Sequence, residues 1–288
     1  MEADRKFAAS RLIAEIAKRG PSAIAYSGGV DSAVVAAAAF RSGVPAIAIT
    51  ALSPSVSAEQ AETARRVARE IGIAHHTVAT HEMDQAAYRA NDRDRCFHCK
   101  QNLYAEIRPF VTRMGIGVIY SGTNADDLGD YRPGIEAGRA AGIVTPLADL
   151  GIGKAMVREI AKLFGLSIAD RPAQPCLSSR LAYGVEVSVQ RLAMVESAES
   201  FLRHRGYSPL RVRVLPGDVA RIEVDRSGIQ RLRAGDELSV TTTHFRELGF
   251  DGVEVDPQGF RSGSMNEVFS IKTKAAETPN DGSHAGAT

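Results

Sequence analysis

No apolar run in these 288 residues approaches the length of a membrane span, which excludes an ordinary spanning helix. The opening MEADRKFAAS lacks the cationic and apolar regions of a secretory signal, so a cytoplasmic protein is expected. Charge of one sign is also missing: 35 Lys and Arg face 34 Asp and Glu, a formal net charge of +1. That balance argues against nucleic-acid binding by bulk electrostatics, though not against a local basic groove. Cysteine is scarce and odd in number, three in all, which fits a reducing compartment better than a disulfide framework. There is no internal repeat. What remains is a soluble composition, 44% hydrophobic, in a chain long enough for one large core or two modest ones.

The stretch YSGGVDSAVVAAAAF, 26–40, sets two glycines between a short apolar run (Ala23, Ile24, Ala25, Tyr26) and a segment of strong helix formers. A strand-to-helix turn of this kind points several backbone N–H groups and the positive end of a helix dipole at one place, a site for phosphate. Ser27 and Ser32 add hydroxyls beside Gly28 and Gly29, and Asp31 can orient a metal or a loop amide. No Gly-Lys-Ser/Thr follows, so this is not a Walker A loop. The string S-G-G-x-D-S resembles the PP-loop of the ATP pyrophosphatases, which cleave ATP between the α and β phosphates.

Strand and helix patterns alternate to about residue 170. PAIAIT at 45–50, HHTVAT at 75–80 and Val118, Ile119 and Tyr120 read as strands; 57–71 reads as a helix with Ala61, Ala64, Val67, Ala68 and Ile71 on one face. This order predicts an α/β fold with a doubly wound, mainly parallel sheet and its ligands at the carboxyl ends of the strands. From 188 the pattern changes: a helix over 188–205, alternating RVRV and ARIEV, a helix over 236–248, and DGVEVD as strand. The expected organisation is a nucleotide domain at 1–170, a connection at 171–187, a small α+β domain for substrate or oligomerisation at 188–270, and a disordered tail at 271–288.

The second polar loop, SGTNADDLGDYRPG, follows the strand at 118–120 and so falls on the same sheet edge as the first. Asn124, Asp126, Asp127 and Asp130 offer an amide and three carboxylates. Alone they read equally as a solvated turn. Beside a phosphate loop they become an active-site wall, with Asn124 and Asp127 toward ATP and Asp126 a candidate for the Mg²⁺ that neutralises a triphosphate.

Cys96 and Cys99 form a C-x-x-C pair, open to zinc, redox and iron–sulfur readings. Cys176 stands between Pro175 and the polar Ser178, Ser179 and Arg180, a loop setting rather than a core one. Further on, Arg211 and Arg213 alternate with Val212 and Val214, as Arg221 and Glu223 do with Ile222 and Val224. If these strands pair, the four polar side chains share one face, either a solvent face with mutual salt bridges or a clasp for phosphate or carboxylate.

Taken together, SGGVDS, RCFHCKQNLY, GTNADDLGDYRPG, PCLSSRLAYG, RVRV with ARIEV, and SGSMNE resemble the LarE family over about residues 10–268. These are ATP-dependent sulfur transferases that help make the nickel-pincer nucleotide cofactor of lactate racemase. The resemblance implies a small-molecule substrate, pyridinium-3,5-biscarboxylic acid mononucleotide, whose carboxylates are adenylated and converted to thiocarboxylates. It implies that Ser27, Gly28, Gly29, Asp31 and Ser32 cradle pyrophosphate, and that Ser179, Arg180, Arg211, Arg213, Glu223 and Arg261 contact substrate. It also implies a homohexamer and leaves the sulfur donor unnamed. In one version of the family the residue matching Cys176 surrenders its own sulfur and becomes dehydroalanine. Relatives with the three-cysteine pattern instead resemble holders of a [4Fe-4S] cluster, here on Cys96, Cys99 and Cys176.

Other classes remain open at this level. A PP-loop tRNA thiolase would use the same chemistry with a more basic surface. An amide-forming synthetase would need an ammonia source and has no use for Cys176. A nucleotide-binding sensor would need only the loop.

Overall fold

A computed structural model describes residues 2–129 and 133–261. Asp130, the SGSMNE motif and the tail at 271–288 lie outside the described residues. The chain divides into two compact units, one up to Ser197 and one from Ala198 onward.

In the first unit α1 (Glu2–Ala17) leads into β1 (Ser22–Ala25), α2 (Val30–Arg41), β2 (Ala46–Leu52), α3 (Ala58–Ile71) and β3 (Ala74–Ala79). Then come a short α4 (Ala86–Arg89), the long α5 (Arg95–Arg113), β4 (Val118–Tyr120), α6 (Pro133–Ala140), a short α7 (Pro146–Asp149) and α8 (Lys154–Leu163). The sheet order is β3-β2-β1-β4, parallel throughout. This is the predicted α/β architecture. Side chains alternate across such a sheet, and each face has its own core. Ile24, Ala48 and Tyr120 join the helices α1, α2, α3 and α8 on one side, while Ala23, Ile47, Ile49 and Ile119 join Leu103, Tyr104, Ile107 and Val111 of α5 on the other. The spacing 103, 104, 107, 111 is the helical period. Ile107 is fully buried, so truncating it to Ala would cost about 2–5 kcal/mol.

Helix α2 is buried almost all round, from Ser32 through Ala39. Its alanines supply helix propensity without bulk, which lets it sit between the sheet and its neighbours. Helix α3 starts at a full capping box: Gln60 N donates to Ser57 Oγ at 3.2 Å while the Gln60 side chain accepts from Ser57 N at 3.1 Å. It stops at Gly72, whose φ of +83° closes the last turn.

Helix α9 (Val189–His204) carries the boundary between the units. The second unit continues with β5 (Leu210–Leu215), β6 (Val219–Val224), α10 (Arg226–Arg233), α11 (Glu237–Glu247) and β7 (Gly252–Val255). Strands β5 and β6 are antiparallel, β6 and β7 parallel. Val212, Val214, Ala220, Ile222 and Val224 are fully buried, with α10 against β6 and α11 against β7. Among the described residues no helix is long and apolar enough to cross a membrane.

Candidate active site

The phosphate loop occupies the carboxyl end of β1. Gly28 has φ +73°, and a Cβ there would fall 2.7 Å from the Ala64 Cα, so α3 leaves room for glycine alone. Ser32 Oγ accepts from Ser27 N at 3.2 Å and donates to Gly29 O at 3.1 Å, and Ser27 Oγ accepts from Gly29 N at 3.3 Å. These bonds hold the turn closed over the first turn of α2, whose N–H groups have no intrahelical acceptor. The geometry is that of an anion cradle.

The second polar loop packs directly on it. A Cβ at Gly122 would lie 2.6 Å from Ser32 N, so the two loops meet backbone to backbone. Asn124, nearly fully buried, donates from Nδ2 to Asp31 Oδ1 at 3.2 Å. Its Oδ1 accepts from Asp126 N at 3.0 Å, and its own N–H donates to Asp127 Oδ2 at 3.1 Å. Asp126 turns its Oδ2 to the N–H of Lys154 at 2.7 Å, at the N-terminus of α8. A magnesium ion at Asp126 would compete with that contact.

Lys154 is a site residue that the sequence reading missed. Its Nζ lies 2.5 Å from Asp31 Oδ2, which brings α2, the second polar loop and α8 to one point. The available signal was its position: a cation opening a helix opposes the macrodipole and calls for a partner. Asp31 is that partner, and Asp126 caps the same helix end through the Lys154 N–H.

Cys96 and Cys99 lie in the first turns of α5, three positions apart and therefore on neighbouring positions of its surface. Cys96 is exposed, Cys99 and Cys176 half-buried. The residues after Cys176 are sewn to the corner preceding α5. Buried Arg95 donates from Nη1 to Asn91 Oδ1 at 2.5 Å and to Ser178 O at 2.6 Å. Asn91 Nδ2 donates to Ala182 O at 2.8 Å and Val185 O at 2.9 Å, and the Tyr88 and Ser178 hydroxyls are 2.7 Å apart.

Cys99 feels the charge of both Cys176 and Cys96. Burial, and after it the neighbouring Cys176, pushes the Cys99 thiol up to about 12. Burial also works against the Arg95 and Lys100 cations, yet both are held above their ordinary values. Cys176 and Cys96 do this for Arg95; Tyr104, Cys99, Cys96 and Cys176 do it for Lys100. Three soft donors with two cations to offset their charge suit, in kind, a cluster bound through three thiolates. Among the described residues no three His, Cys, Asp or Glu side chains already stand close enough to hold a metal ion.

Cys176 begins a tight turn, Leu177–Arg180, at the carboxyl edge of the sheet, where Leu177 N donates to Ser55 O at 2.8 Å just beyond β2. Ser179 and Arg180, both expected at substrate, direct hydrogen bonds at the Cys176 backbone. The Cys176 carbonyl accepts from Ser179 Oγ at 2.6 Å and from Arg180 Nη1 at 3.2 Å.

In the second unit the register sets Arg211 opposite Glu223 and Arg213 opposite Arg221, as expected for a shared face. Arg213 and Glu223 form a buried two-pronged ion pair, Nε–Oε1 3.0 Å and Nη2–Oε2 3.3 Å, and Arg221 pairs with Glu254. Arg211 stacks on the Phe260 ring at 4.7 Å, and Arg261 bonds Asp256 Oδ2 at 3.2 Å. Burial works against the Asp256 charge, but Gln258 N, Arg261 and Gly259 N keep its carboxyl below the usual value.

A family model described as asparagine synthase matches residues 15–125, the span of the phosphate loop and the first cysteine pair. An uncharacterized protein of Synechocystis is 45% identical over 248 residues, 86% of this chain and 92% of that one. One of Methanocaldococcus jannaschii is 28% identical over 83% of this chain and 90% of its own. The pyridinium-3,5-bisthiocarboxylic acid mononucleotide synthase of Lactiplantibacillus plantarum is 30% identical over 86% of this chain and 89% of its own. With the phosphate loop, the paired acidic loop and the cysteine segment on one sheet edge, that coverage makes the chain a member of the LarE family of PP-loop proteins.

Proposed function

We propose that this protein is an ATP-dependent sulfur transferase that adenylates the carboxylates of pyridinium-3,5-biscarboxylic acid mononucleotide and converts them to thiocarboxylates for the nickel-pincer cofactor. The observation that carries the reading is shared position: the Cys176 turn, tied to Ser55 beyond β2, lies on the same carboxyl edge as the phosphate loop beyond β1. The name of the Lactiplantibacillus relative supports the substrate class.

A carboxylate oxygen is a poor leaving group, so the substrate must first be activated. Its oxygen attacks the α phosphorus of Mg²⁺-bound ATP, the bond to pyrophosphate breaks, and an acyl adenylate forms. Ser27, Ser32 and the N-terminal amides of α2 receive the departing pyrophosphate, and Lys154 adds positive charge beside them. Sulfur then displaces AMP at the activated carbon. In this reading Arg211, Arg213 and Glu223 belong to the substrate side of the chemistry. Cys96, Cys99 and Cys176 would hold a [4Fe-4S] cluster, which when bound carries the sulfide to be transferred.

The sacrificial route, in which Cys176 gives up its own sulfur, is favoured by one observation: the three cysteines do not form a ready metal site among the described residues. Anaerobic reconstitution with iron and sulfide, followed by thiocarboxylate assay and intact mass, separates the two. We expect each of Cys96→Ala, Cys99→Ala and Cys176→Ala to lose both brown colour and sulfur transfer while pyrophosphate release continues. A colourless, active Cys96→Ala protein that loses one H₂S per turnover would overturn the cluster reading in favour of the sacrificial one.

A further inference from the structure

The segment before Cys176 is exposed from Pro172 through Pro175, yet its last two carbonyls are not left to water. Gln60, half-buried in the first turn of α3, donates from Nε2 to Gln174 O at 2.7 Å and to Pro175 O at 3.2 Å. Its other amide atom, Oε1, accepts from Ser57 N at 3.1 Å and Ser57 Oγ at 3.3 Å. This orientation of the amide is forced, because the reverse would set an oxygen against two carbonyls and an NH₂ against a backbone N–H. One side chain therefore closes the capping box of α3 and grips the two residues that precede the cysteine. The neighbouring Glu59 reaches the same strap through Arg171 and, at 3.3 Å, Gln174 Nε2.

We propose that Gln60 is a positioning residue for sulfur transfer, fixing Cys176 through the Gln174 and Pro175 carbonyls. The proposal rests on the reading of Cys176 as a sulfur-handling residue. A capping box accepts Glu as readily as Gln at this position. Only Gln can also donate to two carbonyls. Gln60→Glu thus keeps the helix start and converts the grip on the strap into a repulsion, so fold and positioning come apart in one substitution.

The test uses the full chain and follows melting temperature, the iodoacetamide alkylation rate of the Cys176 peptide by mass spectrometry, pyrophosphate release and thiocarboxylate formation. For Gln60→Glu we expect an unchanged or higher melting temperature, undiminished pyrophosphate release, a several-fold change in Cys176 alkylation, and sulfur transfer lowered about tenfold or more. Gln60→Met, of similar length but without a donor, should show the same alkylation change should the Glu variant fold poorly. Ser57→Ala should lower the melting temperature through the lost cap and leave alkylation near wild type. Wild-type alkylation and transfer in Gln60→Glu would overturn the proposal, as would an equal alkylation change in Ser57→Ala. Sulfur transfer surviving in Cys176→Ala would overturn the functional reading instead, and the alkylation comparison, which needs no turnover, tells the two failures apart.

Discussion

Lys154 Nζ lies 2.5 Å from Asp31 Oδ2, joining the first residue of α8 to the first turn of α2 across 123 positions of sequence. Each group answers an electrostatic demand of the other. The cation would be unfavourable at a helix N-terminus alone, and the carboxylate would repel a phosphate alone. Lys154→Ala and Asp31→Ala should each lower substrate-dependent pyrophosphate release by a factor of ~100. The double variant should fall far short of the product of the two, which a double-mutant cycle measures. Additive losses would mean that the pair does not act as a unit.

At Gly28 the expected failure is geometric. Gly28→Ala must place a Cβ against the Ala64 backbone while keeping φ at +73°, so α3 or the loop must move. A melting temperature lowered by several degrees and loss of ATP-dependent pyrophosphate release are expected together. Retention of both would show that the loop has slack.

Cys99 should react slowly with alkylating agents. With its thiol at about 12 rather than the ordinary 9.0, the thiolate fraction at pH 8 is about a thousandfold smaller. The sign follows for stability too: a raised folded value favours the fold below pH 9 and the benefit is lost as pH rises toward 12. Mapping alkylated peptides against pH up to that range checks the first point, and alkaline melts of Cys99→Ala against wild type check the second.

Arg213 and Glu223 are only 5% and 3% exposed, so removing one leaves a buried, uncompensated charge. Arg213→Ala should cost about 3–5 kcal/mol in urea melts, and Arg213→Met with Glu223→Leu should recover most of it. Arg211→Ala, outside this pair, is the cleaner test of nucleotide-substrate binding. It should weaken that binding and leave ATP binding unchanged by calorimetry; a fall in ATP binding would displace the substrate from this unit.

Tyr26 presents the opposite case, a buried hydroxyl with no hydrogen-bond partner among the described residues. Tyr26→Phe removes an unsatisfied group without opening a cavity, so stability should hold or rise by about 1 kcal/mol. A clear loss would reveal a partner for that oxygen.

β1, β2 and β4 were legible because they are short apolar runs at the right intervals, and α3 and α9 because their buried apolar residues repeat at the helical period. The glycine turn was legible because Gly28, Gly29 and Ser32 are local to one another. Lys154 and Gln60 were not, since their partners lie 123 and 114 positions away, and the place of Lys154 at a helix start signals the need for a partner without naming it. Asp126 read as a metal candidate by composition; its engagement with the N-terminus of α8 depends on a helix start that only folding brings near. Arg213 and Glu223 were found by strand alternation, but alternation says nothing of burial.

Immediately around Cys176 the main chain carries its own anchors: carbonyls at 174, 175 and 176 and the amide of Leu177 each have a partner, and none of these bonds involves the sulfur. A residue whose address is written in its backbone can have its side chain rewritten and stay where it is. Because these contacts do not pass through the sulfur, Cys176→Ser should keep them and report on the unreacted geometry.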